Sequence, residues 1–363
     1  MKKGQSLRAA RVNDDYELEL FKEELGPRPK RMGLHQLDYM FFCMNQDTKA
    51  CLYTKRNYSE DYLKYLEKLG FVVPKIVHSG DYYNWYGRLQ NIPKEKRLNS
   101  KLFSYGILNQ LKLNPCPNFT VSSNEELELS LKTHPYPIWF LKCPFDMAGL
   151  GLRKIETDSD LPRINRPYVL EPILDRILDV SFYFNIRDKS VSFYRNLVLP
   201  GGQYYGGVLY EEKKDFETWM IENGFEDVSK KWFKVSEKIL SEIMKEEPEQ
   251  SFSVDSFFYK TDSGVDLHPM TEINYRETVG GCLLSLKPYL PEKGTGILIT
   301  LPVTSDVPFN SFMPYSVETK KGIIYLSPHG SDQTTFFCSA ATLKDAENLM
   351  QKYLLIAGIS PNF

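Results

Sequence analysis

Several features that would assign the chain quickly are missing. No apolar run approaches the roughly 18 residues that span a bilayer, and the opening stretch MKKGQSLRAARVNDDYELEL has two lysines without an apolar core behind them, unlike a secretory signal. The six cysteines (Cys43, Cys51, Cys116, Cys143, Cys282 and Cys338) show no CxxC or Cys/His spacing. They read as free thiols of a reducing cytoplasm, not as a disulfide or zinc framework. Lys+Arg 45 against Asp+Glu 47 leaves a net charge of −2, so neither sign is in excess for gripping nucleic acid or an anionic membrane. Internal repeats and low-complexity tracts are absent. So are GxxxxGK[ST], GxGxxG after a strand, HRD, DFG, HExxH and GxSxG. Any phosphate chemistry must rest on other devices.

What remains is an ordinary globular composition, 42% hydrophobic and 25% charged over 363 residues, long enough for two or three domains. Tyr (23), Phe (22) and Trp (4) are plentiful and read as packing and interdomain contact rather than a stacking platform for bases. The most informative stretch is a hairpin pattern: β-rich runs Phe252 to Lys260 and Val265 to Tyr275 flank Thr261-Asp262-Ser263-Gly264. A two-residue loop at Asp262-Ser263 or Ser263-Gly264 sets Asp255 opposite residue 270 or 272. In either register Asp255, Glu272 and Asn274 share one face. Like charges across strands repel. A hard divalent cation such as Mg2+, which takes oxygen ligands, would justify them; a chance cluster of acids on an exposed hairpin is the alternative.

The rest of the chain reads as α/β units. Residues 1 to 31 look like a loose arm or short helices, and Leu37 to Met44 suits a strand. Ser59-Glu60-Asp61 opens a helix over 62 to 69 closed by Gly70, and Phe71 to Val77 suits a second strand. The polar run at 90 to 97 is a plausible boundary. Helices follow at about 100 to 111 and, capped by Ser122 to Glu126, up to Leu131. Ile138 to Cys143 is a strand carrying Lys142, then come Gly149 and Gly151, and Arg153 to Ile155 resumes a strand. Val180 to Ile186 and Ser190 to Val198 form a hairpin, 201 to 207 a glycine-rich loop, and 214 to 221 and 227 to 246 helices. The segments 294 to 303, 322 to 327 and 335 to 341, with a final helix over 343 to 355, match no assignable motif.

The strand, Lys142, glycine-loop, strand segment could wrap an anion through backbone N–H groups, although a Gly-x-Gly between strands is usually just a tight turn. The ordered set Lys101, Lys142 with Gly149 and Gly151, Glu171 followed by Asp179, Asp255, and Glu272-x-Asn274-x-Arg276 resembles the ATP-grasp superfamily, covering about 98 to 280. No single motif is specific; their order and spacing together are. The resemblance implies an α+β / α/β architecture: two α+β subdomains gripping ATP, preceded by a small α/β pre-ATP-grasp domain. Its implied divisions are 1–98 for the arm and pre-ATP-grasp domain, 99–170 for the lid with the glycine loop, and 171–363 for the large subdomain.

Carried over by position, Lys101 matches a lysine at the α-phosphate and Lys142 one that reaches the phosphates from the lid. Residues 145 to 151 match the loop that closes over the triphosphate. Glu171 to Ile173 lie in the hinge whose backbone recognises adenine, and Asp179 stands where an acid holds the ribose hydroxyls. Asp255, Glu272 and Asn274 match Mg2+ ligands, and Arg276 and Arg195 match basic residues for phosphate or substrate carboxylate. The chain departs in its longer interval from Asp255 to Glu272, which contains Asp266, His268 and Pro269, and in Asp146-Met147 before the loop glycines. His268 and Ser327 to Gly330 have structural readings as well as substrate ones.

The implied activity is Mg2+-dependent ligation: ATP activates a carboxylate as an acyl phosphate, which an amine of an amino acid or small peptide then attacks. A small-molecule kinase of the same fold, or a non-catalytic nucleotide-binding regulator, are the alternatives. The implied partners are small-molecule carboxylates and amines, with no nucleic acid and no membrane, in the cytoplasm; a homodimer is left open.

Overall fold

The computed structural model describes residues 8–22, 37–134, 136–145, 152–156, 161–198, 204–302, 314–328, 331 and 333–356. They build three sheets. The first is parallel, β1 (Ala9–Arg11), β2 (Cys51–Tyr53), β3 (Lys75–Val77) and β4 (Tyr82–Asn84), in the order β3-β2-β1-β4. The supposed arm therefore supplies an inner strand, with Ala9, Ala10 and Val12 buried; so short an apolar patch among charges leaves no periodic trace. The run at 37–44 is not a strand but the helix Asp38–Met44, buried from Asp38 through Cys43. A segment covered on every side loses the periodicity that separates the two.

The helix Glu60–Lys68 obeys its signals: the Ser59 side chain accepts from the Tyr62 N–H, and Gly70 at φ +91° takes the left-handed exit. Phe71 donates its N–H back to the Leu66 carbonyl at 3.1 Å. With Phe71 used there and Pro74 lacking an N–H, the expected strand at 71–77 shrinks to β3.

The second sheet is antiparallel: β5 (Phe119–Val121), β6 (Ile138–Lys142), β7 (Leu152–Glu156) and β8 (Tyr168–Pro172), ordered β5-β8-β6-β7. The helix Asn124–Thr133 packs Leu127 and Leu131 into a small core with Val121, Trp139, Leu141 and Leu170. Ser123 accepts from Glu126 N–H at 3.2 Å, and the Glu126 carboxylate accepts from Ser122 N–H at 2.6 Å, so the helix start is capped from both sides.

The third sheet has eight antiparallel strands, β9 (Asp175–Asn185), β10 (Ser190–Val198), β11 (Tyr204–Tyr210), β12 (Phe252–Thr261), β13 (Gly264–Asn274), β14 (Thr295–Pro302), β15 (Gly322–Tyr325) and β16 (Gln333–Ala340). Their order is β13-β12-β9-β10-β11-β14-β16-β15, so the C-terminal segment completes this sheet. Helices Lys213–Glu222, Glu226–Met244 and Leu343–Ile356 cover one face around Phe182, Trp232, Ile239, Phe258 and Ile299. On the other face Tyr183, Tyr194, Leu298 and Phe337 pack with Met40, Phe42 and Leu283. Among the described residues no helix is long and apolar enough to cross a membrane.

The glycine-rich stretch expected as a loop is strand from Tyr204 on, while 201–203 lie outside the described residues. Gly206 and Gly207 serve close approach: a Cβ on Gly206 would lie 2.1 Å from the Leu298 carbonyl oxygen. Gly206→Ala must push β11 and β14 apart and should destabilise by about 1–3 kcal/mol, read as a lowered thermal midpoint. An unchanged midpoint would show that the ladder absorbs the methyl group freely.

Candidate functional site

The hairpin β12–β13 turns at Asp262-Ser263, with Thr261 opposite Gly264. That loop alone would set Asp255 opposite Met270. Pro269, which has no N–H for the ladder, lies where the register shifts, and beyond the bulge Asp255 faces Glu272 and Ser253 faces Asn274. Ser256 donates to the Pro269 carbonyl at 2.7 Å and Thr271 to the Asp255 carbonyl at 3.2 Å, fastening the bulge.

Asp255 accepts from Ser181 Oγ at 2.6 Å and from Asn274 Nδ2 at 2.8 Å, and Asn196 Nδ2 supports Ser181 at 2.7 Å. Burial and the facing Glu272 push the Asp255 carboxyl above its usual range, against those hydrogen bonds and the Arg276 charge. Glu272 Oε2 accepts from Lys101 Nζ at 2.5 Å. Burial would raise the Glu272 carboxyl too, but Lys101, Arg276 and Lys142 outweigh it and hold it below its usual value. Lys101 opens the helix Lys101–Leu111, so a helix start meets the end of a strand here.

Lys142, last residue of β6, contacts the carboxylate of Glu171 on neighbouring β8 and donates to Tyr105 Oη at 3.2 Å. Burial, with the Lys101 and Arg176 cations near, pulls its ammonium down to about 7. The Glu171 contact favours the charged form; a neutral amine there would strand a buried anion, so the two form an ion pair. His268 lies beneath Glu171, fully buried, stacked on Phe257 at 4.6 Å. This excludes it from open substrate contact.

Three expected residues stand differently from their assigned roles. Arg195 projects to the helix-covered face of the sheet, its guanidinium 4.5 Å from the Trp219 ring centroid. Its neighbours Tyr194 and Asn196 alternate to the Asp255 face, so period 2 takes Arg195 away from the site. Asp179 does lie on the Asp255 face but is ion-paired with Arg176. Arg276 is close enough to influence both Asp255 and Glu272, yet its Nε donates to Glu17 and its guanidinium sits 5.4 Å over Tyr86. The neighbouring acid raises the Arg276 pKa further despite burial. Gly149 and Gly151 lie outside the described residues, and so do His329 and Gly330. Ile173 donates its N–H to the Ile138 carbonyl at 3.1 Å, which fastens the segment after β8 to the second sheet.

Sequence reasoning passed over Arg176, which stacks 4.5 Å over Phe257 and lies in the field of Asp255, Glu272 and Glu171. It also passed over Ser181, Asn196 and Glu17. Ser181 was findable, two residues beyond Asp179 on the same strand face; Glu17 gave no signal. Among the described residues no group of three or more His, Cys, Asp or Glu is placed to hold a metal; the set here is two carboxylates and an amide, the hard-oxygen composition that suits Mg2+ when phosphate and water complete the shell.

The overall fold is shared with solved structures. Biotin carboxylase from Campylobacter jejuni, in a complex named as containing β-γ-ATP, superposes with a TM-score of 0.53 at 12% identity, over 96% of this chain and 91% of that one. N5-carboxyaminoimidazole ribonucleotide synthetase from Thermus thermophilus gives 0.51 at 14% identity, over 97% and 98%. The chain has the ATP-grasp fold. No protein-family model and no curated protein sequence matches it. Lys142 and Glu171 of the second sheet meet His268 of the third at this site.

Because Asp255 and Glu272 repel across the ladder, Asp255→Asn should stabilise the protein, by roughly 1 kcal/mol or less, a rise in thermal midpoint of about 1–3 °C. A fall instead would mean that the donors to Asp255 outweigh the repulsion.

Proposed function

We propose that the protein is an ATP-dependent ligase joining a small-molecule carboxylate to an amine through an acyl phosphate. The observation that carries this is the meeting of Asp255, Glu272 and Asn274 on one sheet face with lysines from two other elements, Lys101 and Lys142. Asp255, Glu272 and Asn274 would hold Mg2+, which when bound supplies charge neutralisation at the triphosphate.

Lys101 then serves the α-phosphate and Lys142 the outer phosphates, with residues 145–151 as the covering loop. The backbone at 171–173 takes the adenine. Asp179 takes the ribose once Arg176 yields it, and Arg176, freed, adds a cation near the phosphates. Arg276 orients the carboxylate. A carboxylate oxygen forms a bond to the γ-phosphorus as the bond to the β-bridging oxygen breaks, and ADP leaves. The amine attacks the activated carbonyl, phosphate departs with the bonding pair, and the amine gives up a proton. The chain supplies no covalent nucleophile. It aligns reactants and excludes water, which for good alignment accounts for about 7–11 kcal/mol of a barrier.

The parallel sheet β1–β4 would be the pre-ATP-grasp domain, with units near 1–98, 99–170 and 171–363, and the setting the cytoplasm. The resemblance drawn from the sequence supports each of these assignments.

A metabolite screen with purified protein should show ADP release only when a carboxylate and an amine are both present. Release with one acceptor alone would point to a kinase, and nucleotide uptake without turnover to a regulator. Lys142→Ala and Glu272→Ala should each cut Mg2+-dependent ATP turnover at least about 100-fold while the fold persists by circular dichroism. Near-normal turnover in either variant contradicts the assignment.

A further inference from the structure

Glu171 and His268 make a buried contact that the ligation chemistry leaves without a task. One oxygen of Glu171 touches Lys142; the other, Oε2, faces His268 Nε2 at 3.5 Å. Among the described residues neither Oε2 nor either ring nitrogen of His268 has a hydrogen-bond partner, and both side chains are buried. Phe257 stacks on the imidazole and Tyr105 meets it edge-on at 6.3 Å. Three unsatisfied polar atoms in one dry spot are rare in native proteins and call for an explanation.

The explanation lies in what Lys142 must do. Held by Glu171 and Tyr105, and itself buried, its ammonium has to turn outward to meet a phosphate. Glu171 would then be a buried carboxylate without a counter-charge in contact with it, an expensive arrangement even in the field of Arg176. His268 is already aimed at Oε2. A shift of roughly 0.5 Å brings Nε2–H into hydrogen-bond range. Its own burial keeps the imidazole neutral, against the pull of Glu171, so it can wait beside Lys142 without repelling it.

We propose that His268 is a positioning residue, which takes over the Glu171 carboxylate when Lys142 turns to the nucleotide and thereby sets nucleotide affinity. This rests on Lys142 binding phosphate, as proposed above.

The test is calorimetric titration of the full chain with ADP at fixed Mg2+. His268→Phe keeps a buried ring but loses the donor, and should weaken ADP about tenfold. His268→Gln keeps an N–H and should stay within about twofold. Adding Glu171→Gln to His268→Phe should restore the affinity, because a neutral amide needs no counter-charge. Thermal unfolding without nucleotide should show His268→Phe no less stable than the parent.

Equal losses in both single variants, a loss that Glu171→Gln fails to repair, or no loss in His268→Phe would each overturn the proposal. If the parent takes up no ADP, or Lys142→Ala leaves uptake unchanged, the nucleotide reading falls and this inference with it. If Lys142→Ala abolishes uptake and His268→Phe does not weaken it, this inference falls alone.

Discussion

Asp255 and Glu272 face each other across β12 and β13, two carboxylates at one ladder position in an environment that resists charge. The rest of the site can be understood as the response to that pair. Ser181 and Asn274 donate to Asp255, Asn196 steadies Ser181, and Lys101 crosses from the start of a helix to hold Glu272. Like charges opposed across strands subtract from stability, and folds accept such a cost most readily where function requires it. The bulge at Pro269 is what brings the two acids opposite each other, so a small backbone irregularity decides the chemistry of the face.

The surrounding cations follow the same logic. Lys142 is paired with Glu171, Arg176 with Asp179 and Arg276 with Glu17. Lys142 and Arg276 draw their counter-charges from other elements, Arg176 from its own strand, and with Lys101 on Glu272 these pairs tie β8, β13 and the helices Lys101–Leu111 and Tyr16–Leu20 to one centre. In such a network a polyanion and a divalent cation would enter by exchange of partners, and the barrier to entry is the breaking of existing pairs. The ATP-grasp fold supplies the geometry by setting the two antiparallel sheets against each other.

Much of this was legible in the sequence because it depends on period-2 alternation and local turn chemistry. Thr261 to Gly264 announced the hairpin, and the shared face of Asp255, Glu272 and Asn274 followed from parity alone. Ser59 with Gly70, and Ser122 to Glu126, announced helix ends through capping groups. What failed did so for physical reasons. The segment 37–44 is buried on all sides and carries no period; β1 is too short to show one; Gly206 and Gly207 are glycines for interstrand contact, not flexibility. Arg195 had the right residue type on the wrong parity. The partners of Arg276 and Lys142, Glu17 and Glu171, come from distant chain positions, and no local rule connects them.

The most direct measurement is a crystal structure of the protein with a non-hydrolysable ATP analogue and Mn2+, using anomalous scattering to locate the metal. A metal peak is expected at roughly 2.0–2.3 Å from oxygens of Asp255 and Glu272, as for a hard cation on carboxylates, with Lys101 turned from Glu272 to phosphate. A nucleotide bound elsewhere, or a metal peak away from this pair with Lys101 still on Glu272, would contradict it.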